Sequence, residues 1–246
     1  LAKEICDLPG IRAEGIFTHF ARADEADKTW AMAQLASFEH FIKKLEEQGV
    51  TIPVRHCANS AAILDFPQIH MNWARAGIST YGMYPSDEVE KKSVPLRPVM
   101  SLRSFVTYVK EILPGRQVSY GGTFAAEKPM RIATIPVGYG DGYPRNLSGR
   151  GYVLIQGRKV PVLGRVCMDQ LMADVTAVPE ADVDTPVTLI GKDGGEEIRV
   201  EDLAGWGGGF HYEIVCDIGK RVPRVYLLGG EAVATKDYFE DEYPEI

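Results

Sequence analysis

The chain has 246 residues, 45% hydrophobic and 25% charged, which suits one large domain or two ordinary ones and excludes a disordered tract or a small disulfide scaffold. A formal net charge of −7, with Lys and Arg scattered rather than clustered, leaves no basic field and argues against a nucleic-acid partner. Cys6, Cys57, Cys167 and Cys216 lie far apart with no C-x-x-C, so neither a metal site nor a redox pair is expected, and all four are read as reduced and mostly buried. No apolar run is long enough for a membrane span, and the opening Leu1-Ala2-Lys3-Glu4-Ile5-Cys6 is no signal peptide. An ordinary cytoplasmic protein without a membrane partner is expected. Leu1 opens directly onto a helix end and the turn Pro9-Gly10, which reads as a chain beginning in the middle of a fold.

In chain order, Gly15 to Phe20 is short, β-branched and aromatic, a buried strand carrying His19 at its C-terminal end. Trp30, Leu35, Phe38, Phe41/Ile42 and Leu45 recur at three- and four-residue spacing and predict an amphipathic helix from about Lys28 to Gln48, closed by Gly49. Pro53 to Ala58 is the next strand, and Asn59-Ser60 is an N-cap for Ala61 to Leu64. Trp73 to Ile78 is a third strand, ending in Gly77 and a polar turn. Alternating strands and helices imply right-handed crossovers and a parallel sheet. His19, Ser60 and Arg75 all fall at strand C-terminal ends, the catalytic face of a (β/α)₈ barrel, of which three units are only a part.

At Ser93-Val94-Pro95-Leu96-Arg97-Pro98 the pattern changes, and a boundary is placed near Val94, between domains spanning 1–94 and 95–246. Beyond it the chain reads as all-β: Met100 to Ile112, Met130 to Val137, Tyr152 to Ile155, Lys159 to Leu163, Arg165 to Met168, Leu171 to Val175, Val187 to Ile190 and Arg221 to Leu227. Gln156-Gly157-Arg158 is a hairpin signal, Asp202 to Ala204 starts a short helix, Gly207 to Gly209 makes a loose turn, and the acidic tail from Tyr238 to Ile246 reads as mobile.

Three signatures stand out: Val118-Ser119-Tyr120-Gly121-Gly122, Val137-Gly138-Tyr139-Gly140-Asp141-Gly142-Tyr143-Pro144-Arg145, and Gly164-Arg165-Val166-Cys167-Met168-Asp169-Gln170. Each ends an apolar run in glycines around a phenol or an acid, as where strands stop and a site begins, although turn chemistry alone would also produce Gly-Asp-Gly. With Thr18-His19-Phe20-Ala21, Ala58-Asn59-Ser60-Ala61, Arg75-Ala76-Gly77-Ile78, Tyr212-Glu213 and Arg221-Val222-Pro223-Arg224, these form eight ordered matches along nearly the whole chain, and the chain resembles the alanine racemases.

That resemblance implies an α/β plus all-β fold, the last three strands of a TIM-type barrel followed by a β domain, in a head-to-tail homodimer whose β domains complete the partner's site. It implies pyridoxal 5′-phosphate as cofactor, alanine as substrate, and D-alanine for cell-wall peptidoglycan as product. Racemisation removes a proton from one face of the α-carbon and returns one to the other, so it needs two bases. Tyr120 matches the family's tyrosine base; a free phenol titrates near about 10 and needs cationic help. His19 and Arg75 match the residues that give it; on pattern alone they are a core histidine and a surface ion-pair former. Arg75 is also implied to face the pyridine nitrogen, while Ser60, the backbone of Gly77 and Ile78, and the Tyr212 hydroxyl hold the phosphate. Ser60 could equally be a plain cap. Met168 matches a backbone ligand of the substrate carboxylate, or is core packing, and Tyr139 with Tyr212 narrows the entry for a small side chain. His56, Cys57, Asp141 and Asp169 are read as structural.

The chain departs from the family at the cofactor lysine. Each of its twelve lysines sits in a polar, helical or turn context, with no Lys-Ala-Asn-Ala-Tyr-Gly-His-Gly type motif. The expectation is therefore the C-terminal part of such an enzyme, from about the sixth barrel strand, and inactive alone. Competing readings are a non-catalytic β-domain dimerisation or regulatory module, a relative acting on serine, and, more weakly, the related amino-acid decarboxylases.

Overall fold

The computed structural model describes residues 1–238, so the acidic tail beyond Tyr238 lies outside the described residues. The chain forms two compact units, one covering Leu1–Val99 and one starting at Met100.

In the first unit a short helix α1 (Ala2–Cys6) precedes β1 (Gly15–Phe17), α2 (Thr29–Glu47), β2 (Val54–His56) and α3 (Ser60–Asp65). The strands β1 and β2 pair in parallel, Gly15 opposite Val54 and Phe17 opposite His56, with α2 as the crossover. On α2 the buried stripe is Ala31, Leu35, Phe38, Ile42 and Leu45; Trp30 and Phe41, counted in the sequence pattern, face outward. The helix stops where Gly49 takes φ +77. Phe20, Leu35, Phe38, Cys57, Leu64 and Phe66 belong to the core of this unit.

The expected third strand from Trp73 to Ile78 is reduced to one parallel bridge, Trp73 to His56. The Arg75 N–H still reaches the Ala58 carbonyl at 2.9 Å, but Gly77 (φ −98, ψ −103) then turns the chain into a 3₁₀ helix, Ile78–Tyr81. Two strands and a bridge thus stand where three strands were expected.

The second unit is built on an eight-stranded antiparallel sheet. Its strands are β3 (Leu102–Phe105), β4 (Tyr108–Ile112), then, after the small hairpin of β5 (Gln117–Val118) and β6 (Phe124–Ala125), β7 (Met130–Ile135), β8 (Tyr152–Ile155), β9 (Arg158–Leu163), β10 (Leu171–Asp174), β11 (Pro186–Asp193) and β12 (Glu196–Ile198). Their order is β12-β11-β8-β9-β10-β7-β4, with β3 also on β11. The single run expected from Met100 to Ile112 bends at the buried Val106, so its first half pairs with β11 and its second with β7. One bent strand therefore joins the two ends of the sheet and curls it round its core. Val153, Leu154, Ile155, Leu171, Leu189 and Ile198 are fully buried inside it.

Gln156 and Gly157, both at positive φ, make the β8–β9 turn. The expected strand Arg165 to Met168 is instead a loop, because Gly164 enters at φ +68 and the Cys167 N–H closes a turn onto the Gln170 carbonyl at 2.9 Å. The unit is also not all-β: α4 (Val200–Gly207) and α5 (His211–Asp217) precede a separate hairpin of β13 (Arg224–Leu228) and β14 (Glu231–Lys236). No described helix is long and apolar enough to cross a membrane, and no described cluster of His, Cys, Asp and Glu could hold a metal ion.

Candidate functional site

In the first unit the chemistry gathers on Arg75. Its guanidinium donates to Nδ1 of His56, to Nδ1 of His19 at 3.3 Å and to the Thr18 carbonyl at 3.1 Å. It also sits 5.2 Å from the centre of the Phe17 ring, which stacks on His56. Arginine has only donors, so both histidines present an Nδ1 lone pair and keep their ring N–H on Nε2. Desolvation first and the Arg75 charge second push the His56 imidazolium below its ordinary 6.5. Among the described residues Arg75 has no carboxylate partner and its Nε–H meets no acceptor, its side-chain hydrogen bonds all being made through Nη1 and Nη2.

Beside this lies Ser60, only 4% exposed. The cap of α3 is Asn59, whose side chain accepts from the Ala62 N–H at 3.0 Å. Ser60 is thus not the cap: its Oγ accepts from the N–H of Gly77 at 2.9 Å, the N–H of Ser79 at 3.3 Å and the Ser79 hydroxyl at 3.1 Å. With its lone pairs occupied, Ser60 keeps its own proton to donate. Ile78 opens the 3₁₀ turn, so its N–H has no acceptor within that turn.

In the second unit the three glycine-rich signatures meet. Ser119-Tyr120-Gly121-Gly122 forms the tip of the β5–β6 hairpin, and Tyr120 is 72% exposed. Ser119 itself stands at φ +66, ψ −179, a region open mainly to glycine that costs about 1–3 kcal/mol. Its hydroxyl donates to the Arg165 carbonyl at 2.6 Å and lies 3.4 Å from Cys167 Sγ. The loop after β7 packs on the same segment: the Tyr139 and Gly140 N–H groups donate to the carbonyls of Cys167 (3.1 Å) and Met168 (2.8 Å). A Cβ on Gly138 would fall 2.3 Å from those carbonyl oxygens, so glycine is required there by close approach.

Arg221 ties these loops together, its Nε on Asp141 at 2.8 Å and its NH2 on Asp169 at 2.7 Å, while Asp141 also accepts from the Gly138 N–H. Asp141 and Asp169 therefore shape the loops. Tyr120, Met168, Asp169, Ser119 and Cys167 line one open cleft of about 710 Å³. Met168 is 53% exposed rather than packed in the core, and among the described residues its N–H meets no acceptor. Tyr139 is exposed at its own loop; Tyr212, early in α5, stacks on Phe210 with ring centres 4.7 Å apart.

His19 and Arg75 are thus brought together, as are Ser60 and Gly77, and separately Tyr120 and Met168; the two sets belong to different units. On sequence alone His56 reads as structural, and no role attaches to Ser79, nor to Ser119 and Arg221 within their motifs. The available signal for His56 was its place at a strand end, the same one used for His19.

The family profile described as "Alanine racemase, N-terminal domain" matches residues 1–85, and "Alanine racemase, C-terminal domain" matches 99–226. The chain is 48% identical over 225 residues to the alanine racemase of Methanococcus maripaludis, an alignment spanning 92% of this chain and 60% of that protein. It is 44% identical over 235 residues to that of Clostridium perfringens strain SM101, spanning 96% and 61%. The chain therefore spans about three fifths of the length of these relatives. Among solved structures, alanine racemase from Clostridium difficile 630 in complex with cycloserine superposes with a TM-score of 0.90 at 40% identity, covering 97% of this chain and 62% of that one. The Bacillus anthracis enzyme with bound L-Ala-P gives 0.85 at 39%, covering 92% and 58%. With a profile match over more than half its length and this likeness in structure, the chain belongs to the alanine racemase family.

Proposed function

We propose that the protein works in the pyridoxal-phosphate-dependent interconversion of L- and D-alanine, as a cytoplasmic homodimer that supplies D-alanine for peptidoglycan. The observation that carries this reading is the Arg75 cluster: a guanidinium with no carboxylate among the described residues, donating to two histidine Nδ1 atoms and keeping an Nε–H to spare. In this reading residues 1–94 are the last part of a TIM-type barrel, residues 95–246 the β domain, and each β domain completes the partner's site.

The residues present fit the cofactor. The Ser60 hydroxyl proton and the Ile78 N–H would hold its phosphate, with the Gly77 N–H, which donates to Ser60 Oγ, shared between that oxygen and the phosphate. The Tyr212 hydroxyl is proposed as a further donor, and Arg75 would hold the cofactor's ring nitrogen. Arginine does not surrender its proton, so the ring nitrogen stays unprotonated and the electron sink that the cofactor supplies when bound is a moderate one. That favours return of the proton over side reactions.

Tyr120 serves one face of the α-carbon. With Nδ1 committed to Arg75, His19 has its Nε2–H left to donate, and in this reading it does so to the Tyr120 oxygen that the partner's β domain brings. The Met168 N–H binds the substrate carboxylate, and Tyr139 with Tyr212 narrows the entry for a small side chain. Lys28 pairs with Asp65, Lys91 with Asp87, and Lys159 lies over the Tyr152 and Trp206 rings, and none of the twelve lysines falls in a motif of the family's cofactor-lysine type. The second base is therefore assigned to the part of the relatives' length that this chain does not span.

The test is α-proton exchange. Full-length protein incubated with L-alanine and pyridoxal phosphate in D₂O should give deuterated D-alanine, and no exchange with either enantiomer would overturn the proposal. Tyr120→Phe should slow exchange from L-alanine about 10²- to 10⁴-fold, the range of a general base, while exchange from D-alanine survives. Equal loss of both would remove Tyr120 from the role of single-face base.

A further inference from the structure

Tyr120 is 72% exposed, so packing within its own unit does little to aim its ring. What fixes it is the backbone, and the backbone immediately before it is the strained one, Ser119 at φ +66 and ψ −179. Glycine would adopt this conformation freely; serine adopts it here with a side-chain bond that glycine could not make.

We propose that Ser119 is the positioning residue for Tyr120, holding the β5–β6 tip to the loop that carries Met168. This rests on the racemase reading and extends it to a residue with no assigned role. Three contacts support it. The Ser119 hydroxyl donates to the Arg165 carbonyl at 2.6 Å, three residues before Met168. A Cβ on Gly164 would lie 2.7 Å from the Val118 carbonyl oxygen and 3.0 Å from Ser119 Cβ, so the tip and loop touch without a side chain between them. The Gly122 N–H closes the tip onto the Ser119 carbonyl at 3.2 Å. Because the Arg165–Met168 loop is itself bonded to Tyr139 and Gly140, one hydroxyl places Tyr120 in register with both other signatures.

Ser119→Gly removes the tether and the strain together, whereas Ser119→Ala removes the tether and keeps the strain. The proposal expects both variants, in the full-length protein, to lose about tenfold or more in kcat with little change in KM, and to lose exchange from L-alanine more than exchange from D-alanine. Hydrogen exchange of the 116–126 segment should quicken about tenfold in Ser119→Gly without any loss of global stability. A parent protein that shows no α-proton exchange would refute the racemase reading, and the 116–126 protection would still decide whether Ser119 holds the tip. Unchanged protection in both variants, or a parent-like ratio of L- to D-alanine exchange, would overturn the proposal.

Discussion

The two units hold their functional groups by different means. In the first, side chains do much of the holding: Arg75 is fixed by two imidazoles and two carbonyls, and Ser60 by the turn over it, on a two-stranded sheet whose Phe17 and the bridged Trp73 are 61% and 63% exposed. In the second, main-chain bonds form the base: Tyr139 and Met168 sit on loops bonded main chain to main chain through glycines, with Arg221 and the Ser119 hydroxyl as added ties, over a sheet with a fully buried core. The first arrangement has room to adjust around a ligand, and the second fixes geometry before any ligand arrives. The contrast predicts where substitutions are felt.

The largest effect belongs to the second unit's core. Leu171→Ala, at a fully buried position, should cost about 3–4 kcal/mol in urea unfolding, while Phe17→Ala should cost under about 1 kcal/mol. Similar costs for the two would erase the contrast.

Gly142→Ala tests the backbone fastening. Gly142 is at φ +97, and a Cβ there would lie 2.0 Å from the Asp217 carbonyl oxygen, so the loop would have to move at a cost of about 2–3 kcal/mol. The accompanying loss should be in protection of the 138–143 segment against hydrogen exchange. A stable variant with that protection intact would show the loop to be less constrained than its geometry indicates.

The smallest effect is a pH dependence confined to the first unit. The folded His56 titrates below its ordinary 6.5, so between the two values the unfolded chain binds more protons. Its contribution is complete above about pH 6.5 and is lost as the pH falls from there through the folded value. His56→Asn keeps an acceptor for Arg75 without a titrating ring and should flatten that slope. An unchanged slope would place the acid sensitivity elsewhere.

What the sequence made legible follows the same division. The helix Thr29–Glu47 and the strands Tyr152–Ile155 and Arg158–Leu163 were readable because each has a local period or a local turn. Trp30 was misassigned to the buried stripe because a helix of period 3.6 places neighbours 30 and 31 only a third of a turn apart, and composition favoured the tryptophan. The strand read at Arg165 to Met168 has the right residue types; what denies it a ladder is a positive φ at Gly164 and the packing of the 138–140 loop, both set from outside the segment. The motif residues were found through resemblance. The Ser119 conformation and the Arg221 bridge between Asp141 and Asp169 exist only once distant segments meet.

The bent strand through Val106 has a consequence in time. Leu102–Phe105 is made early, yet its partner is Pro186–Asp193, and a side-chain contact across that pair, Arg103 to Thr188, spans 85 residues. During synthesis at about 5–20 residues per second, the first half of this strand must wait several seconds for β11 to leave the ribosome. Refolding meets the same delay as loop-closure entropy, so closure of the sheet should set the pace of folding in this unit, well behind the formation of the β8–β9 hairpin.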